Sequence, residues 1–130
     1  MRIDEQVCSY VYAQEMKDLG FKQESLFYWN FSSGLKISYK KPENTINVYS
    51  AYTSEEIIRY IPETIIKNNI KYNLVINRAN GYWIVYYKYD LTIIYSHQDR
   101  NLSNAMARVL LNINDDGYEI SKTFSNLGSH

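Results

Sequence analysis

The sequence predicts an α+β fold in which antiparallel β-hairpins are covered on one face by three helices. Three observations carry that prediction. Phe27, Trp29 and Phe31 alternate into a Ser32-Ser33-Gly34 turn, and Leu35, Ile37 and Tyr39 alternate out of it. This is the period of a hairpin with one apolar face. A second alternating run, Tyr72 to Tyr89, is broken by Asn80-Gly81, a dipeptide that tolerates the positive φ of a two-residue hairpin turn. Other stretches space their apolar residues at helical intervals behind capping residues.

The first helix is expected from Ser9 to Leu19, with Ser9 as cap and Tyr12, Met16 and Leu19 on one stripe. Gly20 then suits the left-handed position after the last turn, and Phe21 would fold back on Met16. In the hairpin that follows, Gly34 sets a three-residue loop that pairs Phe31 with Leu35, Trp29 with Ile37 and Phe27 with Tyr39. Leu26, Tyr28, Asn30, Lys36, Ser38 and Lys40 take the other, mostly wet face. Pro42 and Asn44 break the run, and a third strand covers Ile46 to Ser50.

The second helix opens on Thr53 with Glu56 three residues on, a capping box, and Tyr52 and Ile57 occupy the positions of a hydrophobic staple. Ile57, Ile58, Ile61 and Ile65 form its expected stripe, with a kink or restart at Pro62. Pairing Ala79 with Tyr82 in the second hairpin places Tyr72, Leu74, Ile76, Trp83, Val85, Tyr87 and Tyr89 on one face, with Arg78 at its rim. Val75, Tyr82, Ile84, Tyr86 and Lys88 fall on the other. A sixth strand covers Leu91 to Tyr95. The last helix, capped near Asn101, buries Leu102, Met106, Val109, Leu110 and Ile113, and one more short strand is expected at Tyr118 to Ile120.

This gives one domain over residues 1–117 and a polar tail over 118–130. The order strand, strand, strand, helix occurs twice at an offset of about 48 residues. A duplicated βββα unit and chance likeness both account for it.

A chain of 130 residues buries roughly two-thirds of its unfolded surface. Aromatic residues make up 15% and Tyr alone supplies 14, which suits half-buried strands and adhesive surfaces alike. Lys plus Arg equals Asp plus Glu at 14 each, which disfavours nucleic acid, whose binders carry a basic excess. One cysteine, Cys8, allows no internal disulfide. The amino end has no apolar run after Arg2, and no stretch approaches the roughly 18 apolar residues of a membrane span. The expectation is a soluble protein of a reducing cytoplasm.

No constellation calls for catalysis, a metal or a cofactor. His97 reads as a polar residue before the last helix, because Asp99 at a spacing of two points elsewhere. Cys8 reads as a small buried hydrophobe, since a nucleophile there would need a base. Glu55-Glu56 suits the first turn of a helix, and Asp115-Asp116 a turn with Gly117. What remains is a Tyr/Lys sheet surface: Tyr28, Lys36 and Lys40 on the first hairpin, Tyr82, Tyr86 and Lys88 on the second. The leading expectation is a protein partner. Nucleic acid is the alternative, and a homodimer through an uncovered sheet edge is left open.

Cys8-Ser9, a helix ending in Leu19-Gly20, and Lys22-Gln23-Glu24-Ser25-Leu26-Phe27-Tyr28-Trp29 together carry a resemblance. So do Tyr49-Ser50-Ala51-Tyr52-Thr53, Ile61-Pro62, and, more loosely, Asn104 through Leu111. Over about residues 8–114 the chain resembles a family of small uncharacterised bacteriophage and prophage proteins with a K-Q-E-S-x-F-Y-W block. The family typically has Y-S-A-F-T and L-P in the middle segments. The resemblance implies a mobile-element accessory protein in the cytoplasm of a bacterial host, and it carries over no site residue and no activity.

Overall fold

Ser9 starts helix α1 (Tyr10–Asp18) from an extended conformation, but its hydroxyl makes no capping bond. Its backbone amide donates to Asn104 Oδ1 at 2.6 Å instead, tying the start of α1 to the last helix. The far end stops as the sequence predicts. Gly20 takes φ +91°, Phe21 N–H donates to Met16 O and Gly20 N–H to Lys17 O, both at 3.0 Å. Phe21 and Met16 are both buried, so the stop is sealed by apolar contact. The computed structural model describes residues 2–30, 35–39, 48–118 and 120.

Strands β1 (Tyr28–Asn30), β2 (Lys36–Ser38) and β3 (Val48–Ser50) form a small antiparallel sheet ordered β2-β1-β3. Trp29 pairs with Ile37 as expected and with Tyr49 on the other side. The Phe27 and Tyr39 rings sit 5.5 Å apart. The turn Phe31–Gly34, Lys40, and the segment from Pro42 to Ile46 lie outside the described residues.

Helix α2 (Ser54–Ile57) has the predicted capping box: Thr53 accepts from the Glu56 amide, and the Glu56 carboxylate accepts from the Thr53 amide. Tyr52 and Ile57 are fully buried. The helix is shorter than its isoleucine spacing suggests. Ile58 is 41% exposed, and after Pro62 the chain becomes strand β4 (Thr64–Lys67). Ile65 is buried as expected, but as a strand residue opposite Tyr72. Pro62 withholds the amide a continuing helix would need, and the β-branched run Thr64-Ile65-Ile66 favours a strand. Asn68 and Asn69 both take positive φ and turn β4 directly into β5 (Ile70–Ala79).

Strands β4, β5, β6 (Tyr82–Tyr89) and β7 (Thr92–Asp99) form an antiparallel four-stranded meander in that order. The predicted register holds: Ala79 faces Tyr82 and Arg78 faces Trp83 across an Asn80-Gly81 turn with φ of +55° and +80°. Strand β7 runs past Tyr95 because it contains a bulge. Val85 pairs with His97 and Tyr87 with Ile94, so Tyr95 and Ser96 together oppose Tyr86, and Tyr95 takes φ +56°.

Helix α3 (Leu102–Asp115) is capped by Asn101, whose side chain accepts from the Asn104 amide. Met106, Val109, Leu110 and Ile113 are fully or almost fully buried as expected, whereas Leu102 is half-buried. The strand expected at Tyr118 to Ile120 is not formed at either of those residues. Gly117 takes φ +89° and Tyr118 N–H donates to Ile113 O, so Tyr118 closes α3.

Among the described residues the architecture is α+β, with antiparallel hairpins and three α-helices. Helix α3 lies across β6 and β7, α2 packs on α3, and α1 bridges α3 and β3. A single cluster of buried residues runs from Val7 to Ile113 and joins the two sheets. The halves are not a duplication: the first strand is central in the small sheet, whereas in the corresponding β5-β6-β7 unit the second strand is central.

Candidate functional site

The residues expected to form a Tyr/Lys surface do not all meet. Tyr28 is only 5% exposed, and its hydroxyl accepts from the Ser25 amide at 3.1 Å. The central strand of the small sheet is therefore covered on both faces, which corrects the expectation of a wet face there. Lys36 is exposed on β2, on a different sheet from Tyr82, Tyr86 and Lys88. Lys40 lies outside the described residues.

Tyr82, Tyr86 and Lys88 do share one surface. Strand alternation points them away from the core, as it does Val75, which pairs with Tyr86. Their neighbours Trp83, Val85 and Tyr87 point inward, and the last two are fully buried. Val75, Ile84 and Tyr86 are half-buried at the centre of this outer face, while Ile66 (65% exposed) and Ile93 (50%) extend it to both sheet edges. Lys71, opposite Ile66, and Lys88, opposite Ile93, add two cations. None of the outward strand positions is acidic. Asn77 Nδ2 donates to the Tyr86 hydroxyl at 2.9 Å, which fixes the ring against the sheet. Among the described residues, helix α3 packs on β6 and β7, on the side where Val85 and Tyr87 are buried.

The candidate reactive groups are each engaged elsewhere. His97 Nε2 lies 3.0 Å from Asn112 Oδ1 under α3, and Asp99 accepts from the Asn101 amide. The Asp116 carboxylate accepts from the Tyr95 hydroxyl. No group of three or more His, Cys, Asp or Glu that could hold a metal occurs among the described residues. No helix among them is long and apolar enough to cross a membrane.

Cys8 is fully buried, and burial pushes its thiol up from 9.0 to about 12. A raised folded-state value means that the unfolded chain loses this proton first. Its contribution to stability is whole below pH 9 and falls away as the pH rises towards 12. Buried Tyr52 and Tyr87, also raised by burial, act in the same direction. Thermal midpoints should therefore fall steadily above about pH 9. Cys8→Ala should make that fall shallower, and an unchanged slope would show that the thiol has no part in it.

Sequence reasoning placed Arg78 at a rim but missed what the rim encloses. A cleft of about 510 Å³ opens between the tip of the β5–β6 hairpin and the starts of α2 and α3, with Arg78, Trp83 and Arg100 in its lining. The Arg78–Trp83 pairing was legible in the hairpin register. The cleft depends on how distant elements dock, which leaves no local signal. No family model, no curated protein and no solved structure matches this chain.

Proposed function

We propose that this chain is a phage- or prophage-type accessory protein that acts by binding another protein rather than by catalysis. The observation that carries the reading is the outer face of the four-stranded sheet. It combines a half-buried apolar centre at Val75, Ile84 and Tyr86 with Lys71 and Lys88, and its outward strand positions lack carboxylates. Interface cores are enriched in tyrosine and depleted of charge, and contiguous exposed apolar area marks contact sites. Charge complementarity identifies the partner's chemistry: a protein surface with an apolar centre bordered by carboxylates. The resemblance to small phage and prophage proteins supports the accessory role.

The same lack of acidic residues favours a second reading, single-stranded nucleic acid stacking on Tyr82 and Tyr86 with phosphates at Lys88. Against it, Lys36 belongs to the other sheet and the whole chain is neutral.

A partner captured stoichiometrically from bacterial lysate should lose about tenfold or more in affinity on Tyr86→Asp. Lys36→Glu, on the small sheet, should leave it unchanged. Failure to capture any partner, or equal affinity for both variants, would count against the reading. Salt-sensitive retention of single-stranded oligonucleotides, abolished by Tyr86→Asp, would favour nucleic acid instead.

A further inference from the structure

We propose that the cleft beside the β5–β6 hairpin tip binds a nucleoside monophosphate, with the base against Trp83 and the phosphate at Arg78 and Arg100. Its volume of about 510 Å³ lies within the range of small-molecule sites. Its apolar lining is Leu26, which is 65% exposed, with half-buried Phe27, Trp83 and Leu102. A flat ring is the ligand part that such a surface takes up.

The charged lining narrows the choice further. Arg78 Cζ sits 5.2 Å from the Trp83 ring centre, and Arg100 Cζ sits 5.1 Å from that of Tyr82. Neither arginine forms an ion pair among the described residues. The Arg100 guanidinium also bonds to the Tyr82 side chain, and the donors that remain to it, with those of Arg78, form the planar fork that a phosphate takes up. The other polar lining, from the amino-terminal turn and the start of α2, includes Glu5, Thr53, Ser54 and Glu55. Two carboxylates repel a bare anion, so the ligand must carry hydrogen-bond donors away from its charge. Ribose hydroxyls and the amino or imino groups of a base meet that need, and inorganic phosphate does not.

Trp83 also supplies the readout. The chain has two tryptophans, and Trp29 is buried with its Nε1 bonded to Cys8 O, so a ligand in the cleft reaches only Trp83. Titration with adenosine, guanosine, cytidine and uridine 5′-monophosphates should give saturable quenching by at least one, with Kd below about 1 mM. Its parent nucleoside should bind at least about tenfold more weakly. Combining Arg78→Ala with Arg100→Ala, both at exposed positions, should cause a similar loss while the thermal midpoint stays unchanged. Tyr86→Asp should bind the nucleotide like the parent chain, which separates this site from the sheet face. The proposal is overturned if no nucleotide saturates, or if the double arginine variant binds as the parent does. It is equally overturned if the nucleoside, inorganic phosphate or a free amino acid binds as tightly as the nucleotide.

Discussion

Trp29→Ala should cost about 3–5 kcal/mol of folding stability, the range for truncating a buried tryptophan. Trp29 occupies the central strand of the small sheet, is 9% exposed, and belongs to the cluster that includes Met16, Tyr52 and Leu110. Its indole also donates to Cys8 O at 2.9 Å, pinning the segment before α1 to the sheet. The loss thus combines a cavity with an orphaned carbonyl. Trp29→Phe separates the two, since it keeps most of the apolar body and removes the donor, and should cost about 1–3 kcal/mol. Urea denaturation followed by circular dichroism measures both. Equal losses for the two variants would mean that the hydrogen bond, not the packing, dominates.

Glu56→Ala should cost about 2–4 kcal/mol, well beyond the loss of a helix cap. The Glu56 carboxylate accepts from the Thr53 amide at 2.9 Å, which is the capping box. It also accepts from Ser25 Oγ at 2.7 Å and from the Leu26 amide at 3.0 Å. One side chain therefore holds the start of α2 to the segment entering β1. Ser25 Oγ–H is part-buried, and its other acceptor, Ala51 O, lies farther off at 3.2 Å, so the bond lost with Glu56 is only partly replaced. Glu56→Gln keeps one acceptor oxygen and should lose less than Glu56→Ala. A Glu56→Ala loss of only about 1 kcal/mol, the worth of a cap alone, would show that the bridge to Ser25 and Leu26 adds nothing.

Glu56 also shows where sequence reading stops. The capping box was legible because its two residues lie three apart. The bonds to Ser25 and Leu26 span about 30 residues, and no local pattern announces them. The same division holds elsewhere. Gly20 with Phe21, and Asn80-Gly81 with its register, are decided by adjacent backbone and were read correctly. Ile57, Ile61 and Ile65 fit a helical stripe, yet Ile65 is buried just as well on the inward side of a strand. Pro62 and the positive φ of Asn68 and Asn69 settled that competition. Alternation predicted that Tyr82, Tyr86 and Lys88 would share a face. It could not show that Tyr28 is covered, because period two sorts residues by side and not by what lies against each side. The cleft at Trp83 belongs wholly to tertiary docking.

The kink that Tyr95 introduces into the outermost strand bears on self-association. An uninterrupted border of free amides and carbonyls invites another chain to ladder onto it and start a fibril. Here the run is cut in two where Tyr95 and Ser96 stand against one residue, and the opposite border, β4, offers only four residues. Lateral growth from this sheet therefore has no long template on either side, even with Ile66 and Ile93 left bare at its margins.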